Sequence, residues 1–188
     1  MDIIQEALKI PGFTSEEFLK ELWQLAHGKV NIIEIGAFQG RSTVVLAQAV
    51  IGLVYSIDIW DTRMYDPSVL PQGRMDWDEC LAYRQFLSNM RRLGVAEKVI
   101  PMIGNSHWLE RYFKPDTIDV VFVDGDHAEH MVRRDIELYL PKLRPTHGIM
   151  CGDDYDMPSV QRPVDAMAMM SGWTVETFAE GKGWIFKK

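Results

Sequence analysis

The hydrophobic positions along the chain form short apolar runs that alternate with stretches of helical spacing. Each run has the length of a buried strand, and glycine or polar residues lie at its end or directly after it. These runs are residues 30–35, 53–59, 98–103, 118–123 and 148–151. Helical spacing occurs at 43–50, 77–93, 107–113 and 129–140. Strands that alternate with helices need crossover connections, so the pattern predicts a parallel sheet with helices on both faces.

The two ends of the chain depart from this alternation. Residues 14–27 carry Phe18 and Leu22 at helical spacing and predict an amphipathic lead-in helix. Residues 173–178 and 184–186 predict two strands, and their five-residue connection allows only an antiparallel hairpin. The predicted fold class is therefore α/β, with a doubly wound, mostly parallel, seven-stranded sheet and an antiparallel C-terminal hairpin.

Residues 60–75 have no regular hydrophobic period and contain proline and glycine. We interpret this stretch as an insertion or lid within a single domain that spans 1–188. Trp60 could contact a bound adenine or substrate, whereas Trp184 in the hairpin is expected to pack in the core. The exposed faces of the lead-in helix and of the insertion could form an interface between copies of the chain, so a homo-oligomer is a possible assembly.

Composition and charge narrow the class of protein. Hydrophobic residues make up 47% and charged residues 25% of the chain, which is typical of a globular protein. The net charge of −7 disfavours binding to a nucleic-acid backbone, so a small-molecule partner is expected. Cys80 and Cys151 form no Cys-x-x-Cys motif. The apolar run 44–55 is too short to span a membrane, and no basic leader is present, so a cytoplasmic location is expected.

The first predicted strand ends in a glycine-containing segment. Residues 34–43 read Glu-Ile-Gly-Ala-Phe-Gln-Gly-Arg-Ser-Thr. Gly36 and Gly40 would let the backbone approach a ligand closely at a helix amino terminus, although a tight turn alone would also explain them. Asp58 ends the second strand and can accept hydrogen bonds from ribose hydroxyls. Together these features predict a nucleoside-containing cofactor.

This combination resembles the class I S-adenosylmethionine-dependent methyltransferases, whose Rossmann-like sheet also closes with an antiparallel hairpin. The resemblance implies that the glycine segment flanks the methionine part of the cofactor and that Asp58 holds the ribose. It also implies that Asn105 and Ser106 lie near the adenine, and that Glu34 organises the loop or reaches the cofactor's amino group. The implied cofactor contacts are Glu34, Gly36, Gly40, Ser42, Asp58, Asn105, Ser106 and Asp124.

A narrower resemblance comes from the segments Val-Asp-Gly-Asp-His at 123–127 and Gly-Asp-Asp-Tyr at 152–155. They resemble the branch with metal-dependent sugar O-methyltransferases and cephalosporin-hydroxylase-like proteins. That resemblance implies a Mg²⁺ ion held by acidic residues after the fourth and fifth strands, with a neighbouring base that deprotonates an acceptor hydroxyl. The implied metal ligands are Asp124, Asp153 and Asp154, and the candidate catalytic bases are Asp126 and His127.

Structural explanations are open for several of these residues. Asp126 and Glu129 have the spacing of a capping box, Asp153 and Asp154 could form a solvated turn, and His127 could be an exposed first-turn residue. The predicted function is methyl transfer from S-adenosylmethionine to a small-molecule hydroxyl with Mg²⁺. The alternatives are an NAD(P)-dependent oxidoreductase, which the missing third glycine and the hairpin disfavour, and a cofactor-binding module without catalysis.

Overall fold

The computed structural model describes residues 2–61 and 81–187, whose strands form one seven-stranded sheet. The strands are β1 (Asn31–Ile35), β2 (Leu53–Asp58), β3 (Val99–Ile103), β4 (Val120–Val123), β5 (Ile149–Gly152), β6 (Thr174–Phe178) and β7 (Gly183–Lys187). The helices are α1 (Ile3–Ala7), α2 (Glu16–Ala26), α3 (Arg41–Ala49), α4 (Leu81–Arg92), α5 (Ser106–Leu109), α6 (Glu129–Tyr139) and α7 (Pro158–Ser171).

The strand order is β3-β2-β1-β4-β5-β7-β6. Strands β1 to β5 are parallel, and β7 pairs antiparallel with both β5 and β6. The order reverses between β1 and β4, which pair from Ile32 with Val120 to Ile35 with Val123. In open sheets of this kind, ligands bind beyond the carboxyl ends of the strands at such a reversal. The loops that follow β1 and β4 are therefore the first place to look for a site.

Helices cover both faces of the sheet, which explains why its central strands β1 and β4 are mostly apolar on both faces, with Glu34 of β1 as a buried exception. On one face, Ile32 packs with α2 and α3, and on the other face Ile33 packs with α6 and α7. The hydroxyl of Ser15 caps α2 by accepting the N–H of Phe18 at 3.2 Å. The buried side of α2 then includes Phe18 and Leu22, as its helical spacing predicts.

The predicted α/β class, the parallel sheet and the antiparallel hairpin are confirmed. Two helices, α1 and α7, lie outside the predicted ones. Helix α7 contains Pro163, and proline normally argues against a helix interior because it lacks an N–H donor. Its buried residues nevertheless include Val160, Val164 and Met167 at helical spacing. The helix predicted over 107–113 is instead the four-residue α5 followed by a 3₁₀ turn.

The hairpin places a tryptophan beside the end of β5. Trp184 on β7 pairs with Gly152 and is fully buried, so its expected core packing is confirmed. A Cβ atom on Gly152 would lie 2.5 Å from atoms of the indole ring. Only glycine therefore lets the ring lie against β5, one residue before Asp153.

The predicted insertion over 60–75 lies outside the described residues, apart from Trp60 and Asp61. Cys80 and the first residues of the helix predicted over 77–93 lie outside them as well. Trp60 is buried and packs against Tyr83 and Phe86 of α4. No helix in the described part of the chain is long and apolar enough to cross a bilayer.

At the opposite end of the sheet, Asp119 links the starts of the two central strands. Its carboxylate accepts the backbone N–H groups of Val30 and Asn31 at 2.9 and 2.8 Å, and it lies 2.9 Å from Nε of Arg144. Burial acts to raise the pKa of Asp119, but the two N–H groups, Arg144 and His147 together hold the pKa below its usual value.

We expect Asp119→Ala to lower the free energy of unfolding at pH 7 by about 2–4 kcal/mol, because several donors lose a buried acceptor. Since the pKa of Asp119 is lower in the folded state, its contribution is complete above the unfolded pKa and is lost as pH falls through the folded pKa. Urea denaturation at pH 7 and at about pH 3 measures this dependence. The free energies of unfolding of the original chain and of Asp119→Ala should differ less at about pH 3 than at pH 7.

The control for this prediction is Glu137→Ala, which removes an exposed carboxylate 3.3 Å from Arg134. That change should alter the free energy of unfolding by less than about 0.5 kcal/mol. Equal losses from the two variants, or a loss from Asp119→Ala that does not depend on pH, would contradict the assigned role.

Candidate active site

The loop after β1 approaches the loop after β4 so closely that only glycine fits. Gly36 has a φ of 92° and donates its N–H to the carbonyl oxygen of Ile57 at 2.9 Å. A Cβ atom on Gly36 would lie 1.8 Å from the backbone oxygen of Asp124. Gly40, with a φ of 89°, is the N-cap of α3. The loop therefore presents backbone at a helix amino terminus beside Asp124, where a polar ligand group can approach.

Glu34 is fully buried in β1 and, through three hydroxyl groups, fixes the start of α3, into which this loop leads, against β1 and β2. Its carboxylate accepts hydrogen bonds from Ser42 at 2.5 Å, Thr43 at 2.6 Å and Ser56 at 2.8 Å. Burial raises the pKa of Glu34, and the three hydroxyls oppose that rise. Of the two roles expected for Glu34, these contacts match organisation of the loop, and they direct the hydroxyl of Ser42 toward Glu34.

The carboxylate of Asp58 joins the end of β2 to the same loop. One oxygen accepts the N–H of Phe38 at 2.8 Å, and the other accepts the N–H of Trp60 at 2.7 Å. The indole N–H of Trp60 in turn donates to the carbonyl oxygen of Phe38 at 2.6 Å. Asp58 is 8% exposed, so its carboxylate borders the glycine loop with a small accessible surface.

The loop after β3 contains the two residues predicted near an adenine. Asn105 is the N-cap of α5, and its side chain accepts the N–H of His107 at 2.8 Å. The hydroxyl of Ser106 donates to Asp135 at 2.6 Å, and the hydroxyl of Tyr139 donates to the carbonyl oxygen of Ser106 at 2.8 Å. Ser106 is therefore held by side chains of α6.

Three side chains that follow β4 and β5 converge, and we call them the acidic group: Asp124, His127 and Asp154. One potential ligand atom from each lies within 4.8 Å of the others. Nε2 of His127 lies 2.8 Å from a carboxylate oxygen of Asp154. Asp154 has a φ of 59°, so it occupies the left-handed region. Two carboxylates and one imidazole at these distances could hold a cation.

The electrostatics of the acidic group favour a positive ligand. Burial raises the pKa of Asp124 well above its ordinary value, and the nearby carboxylates of Asp153 and Asp154 raise it further. Burial also raises the pKa of Asp153 to about 6. The hydrogen bond to Asp154 raises the pKa of His127. Each shift reduces the negative charge or increases the positive charge, which is the response expected where carboxylates repel one another.

A small cavity of about 10 Å³ lies beside the acidic group. Its walls include Asp124, Asp153, His127 and Trp184. That volume suits one water molecule or one small ion. Within the described part of the chain, the buried Nε1 of Trp184 has no hydrogen-bond partner. A buried donor without a partner is uncommon in proteins and often marks a place where water or a ligand binds.

The structure brings together only some of the predicted metal ligands. Asp124 and Asp154 belong to the acidic group, together with His127, which the sequence predicts as a base. Asp153 is not one of the three; its carboxylate accepts the backbone N–H of Asp154 at 2.8 Å. Asp126 is exposed and accepts the N–H of Ala128 at 2.8 Å. Ala128 is the N-cap of α6, so the alternative of a capping box between Asp126 and Glu129 is wrong.

Two residues near the site, Trp184 and Asp135, are not among the site residues predicted from the sequence. A signal for Asp135 exists, because this acidic residue shares the buried side of α6 with Val132 and Ile136. Trp184 carries no comparable signal, since a tryptophan in a hairpin strand is explained by core packing alone.

A larger cavity, of about 370 Å³, lies away from these residues. It is bounded by residues of β1, β2 and β3 and by the segment that precedes β4, with Tyr55, Phe113 and Lys114 in its wall. No carboxylate among the described residues lines it. The polar groups that could perform chemistry are instead at the carboxyl ends of the strands, where the topology predicts a site.

Several solved structures with a similar fold are methyltransferases, of which two were solved with the cofactor or its product. The O-methyltransferase TomG from Streptomyces achromogenes, involved in tomaymycin synthesis and solved with S-adenosylmethionine, is 20% identical, with a TM-score of 0.68 over 99% of this chain and 88% of that chain. An O-methyltransferase from Bacillus cereus, solved with S-adenosylhomocysteine, is 19% identical, with a TM-score of 0.65 over 99% of this chain and 90% of that chain.

A third similar structure has a different named activity. The precorrin 8W decarboxylase of Methanobacterium thermoautotrophicum is 19% identical, with a TM-score of 0.67 over 96% of this chain and 94% of that chain. At such identities the likeness is one of fold, and a shared fold does not fix a reaction. None of the curated proteins compared with this chain matches it.

The sequence itself matches a family described as a methyltransferase domain, over residues 33–155. This range is more than half of the chain and includes the glycine loop, Asp58 and the acidic segments after β4 and β5. The resemblance predicted from residues 34–43 and Asp58 is thereby confirmed, as is the Rossmann-like methyltransferase fold. The chain belongs to this family of methyltransferase domains.

Proposed function

We propose that the protein transfers a methyl group from S-adenosylmethionine to a hydroxyl group of a small molecule, with a divalent cation at the acidic group. The observation that carries this proposal is the close approach of Gly36 to the backbone of Asp124. It brings the glycine loop and the acidic group side by side at the reversal of strand order. Family membership and two similar structures that contain S-adenosylmethionine or S-adenosylhomocysteine support the choice of cofactor.

The proposed cofactor contacts follow the ends of β1, β2 and β3. The glycine loop would receive the methionine part, Asp58 would accept hydrogen bonds from the ribose, and Asn105 would lie beside the adenine. Glu34 would keep the loop in shape through its hydroxyl partners. When bound, S-adenosylmethionine supplies an electrophilic methyl carbon on a positively charged sulfur.

The acidic group fits a divalent cation by charge and by donor type. Asp124 and Asp154 offer carboxylate oxygens, which suit the Mg²⁺ ion implied by resemblance, and the imidazole of His127 would not be a ligand of the ion in this proposal. Asp153 adds negative charge next to them in the wall of the same small cavity. When bound, the cation would supply positive charge that favours ionisation of a nearby hydroxyl group.

His127 is the proposed general base. Methyl transfer to a hydroxyl oxygen forms a carbon–oxygen bond, breaks the carbon–sulfur bond and releases one proton. The imidazole of His127 would accept that proton, and the carboxylate of Asp154 at 2.8 Å would stabilise the resulting imidazolium. Both residues are exposed, but Asp126 is the weaker candidate because it lies outside the acidic group and its carboxylate already accepts the N–H of Ala128. The remaining task of the chain is to align oxygen, methyl carbon and sulfur.

Isothermal titration with S-adenosylhomocysteine, first with Mg²⁺ and then with EDTA, tests this proposal. We expect saturable binding in both conditions, together with a separate Mg²⁺ heat or a higher affinity when Mg²⁺ is present. NADH serves as the control ligand and should give no binding heat. The cofactor assignment fails if millimolar S-adenosylhomocysteine gives no heat. Binding without any effect of Mg²⁺ would instead contradict only the cation.

A further inference from the structure

A carboxylate with no part in the proposed reaction is buried beside the candidate site. Asp135 on α6 is 2% exposed, and burial raises the pKa of its carboxyl to about 6. Ser106 donates to it at 2.6 Å, and Nε2 of His107 lies 3.4 Å from the same oxygen without hydrogen-bond geometry. Burial of a carboxylate costs stability, so its presence between the apolar residues Val132 and Ile136 calls for a specific role.

Helix α6 holds Ser106 in two ways. Tyr139 lies four residues after Asp135 and therefore on the same face of the helix. Its hydroxyl donates to the carbonyl oxygen of Ser106 at 2.8 Å, while Asp135 accepts the hydroxyl of Ser106. The side chain and the carbonyl group of Ser106 are both fixed, so the loop 104–106 takes its position from α6.

Asp135 also borders the loop after β4. A Cβ atom on Gly125 would lie 4.0 Å from the second carboxylate oxygen of Asp135, and Gly125 directly follows Asp124. One buried carboxylate therefore lies between the loop proposed to receive the adenine and the loop that carries Asp124.

We propose that Asp135 is a positioning residue for the cofactor, which acts through Ser106 to fix the loop 104–106 in the conformation that receives the adenine. This inference rests on the proposed function. Asp135 does not contact the reacting atoms in the proposal. A change at Asp135 should therefore alter the affinity for the cofactor rather than the chemical step of methyl transfer.

Two measurements on Asp135→Ala and Asp135→Asn test this inference. In Asp135→Ala we expect faster amide hydrogen exchange at 104–109 in the ligand-free protein, and an S-adenosylhomocysteine Kd raised about tenfold. Asparagine keeps an oxygen that can accept from Ser106, so Asp135→Asn should stay within about threefold of the original chain. Ser106→Ala removes the donor of the same hydrogen bond. It replaces Asp135→Ala in both measurements if that variant does not fold.

The matched control is Leu143→Ala, which removes a buried side chain from the same apolar cluster at a position paired with Ile118, before the start of β4. It should lower stability and leave the Kd within about twofold. The inference is overturned if Leu143→Ala weakens binding as much as Asp135→Ala. It is also overturned if Asp135→Ala and Ser106→Ala leave the Kd unchanged, whether or not hydrogen exchange at 104–109 changes. An original chain that binds no S-adenosylhomocysteine overturns the proposed function, and with it the role of Asp135 toward the cofactor.

Discussion

Gly36→Ala should abolish binding of S-adenosylhomocysteine and lower the free energy of unfolding by about 2–4 kcal/mol. The new methyl carbon would lie 1.8 Å from the backbone oxygen of Asp124 and 2.5 Å from its carbonyl carbon. These are backbone atoms, so no change of rotamer relieves the overlap. The loops after β1 and β4 would have to separate, which displaces both the proposed cofactor loop and the acidic group. Titration calorimetry and urea denaturation measure the two effects.

Gly28→Ala is the matched control for this prediction. Gly28 has a φ of 73°, but no atom lies within 4 Å of the place where its Cβ would be. The variant therefore carries the cost of a left-handed alanine, about 1–2 kcal/mol, without the steric overlap. Its affinity for S-adenosylhomocysteine should stay within about twofold of the original chain. If Gly36→Ala also kept that affinity, the close approach of the two loops would not define the binding site.

Asp124→Asn is expected to remove the response of thermal stability to divalent cations. In EDTA, the same variant should be more stable than the original chain. Burial and neighbouring carboxylates raise the pKa of Asp124, so its ionised form opposes folding at neutral pH. Mg²⁺ should then stabilise only the original chain, because it binds the folded acidic group. Thermal unfolding in EDTA and in Mg²⁺ measures both effects.

The control for Asp124→Asn is Asp156→Asn, which changes an exposed carboxylate on the same loop as Asp154. Asp156 lies outside the acidic group, so its variant should keep the cation response of the original chain. A cation response that survives in Asp124→Asn, or an original chain whose Tm is unaffected by Mg²⁺, would argue against the proposed cation site.

The strands could be predicted from sequence because a sheet covered on both faces produces apolar runs. The run 53–59 corresponds to β2 at Leu53–Asp58, and the run 98–103 to β3 at Val99–Ile103. The order of the strands could not be predicted, because an apolar run does not reveal its neighbour. The insertion of β7 between β5 and β6 depends on tertiary contacts such as that of Trp184 with Gly152.

The location of the candidate site could be predicted, since the residues that follow parallel strands meet at one edge of the sheet. The direction of each side chain could not. Ser106 is predicted near the adenine, but its hydroxyl faces Asp135, 29 residues further along the chain. Asp153 is predicted as a metal ligand, but its carboxylate accepts the N–H of the next residue. Such hydrogen bonds depend on how helices and loops pack, which local sequence does not encode.

The order of the strands in the sheet also determines when each strand can pair while the chain is being synthesised. The hydrogen bond from Val30 to Asp119 spans 89 residues, so the edge of β1 that receives β4 stays unpaired until that later segment leaves the ribosome. The outer edge of β5 stays unpaired for longer, because its partner β7 follows β6 in the chain. Trp184, which lines the small cavity, belongs to β7 and is therefore synthesised late. A nascent chain that holds only β1 to β5 therefore presents an open strand edge, which favours association with other chains, and the candidate site closes only when β7 is inserted.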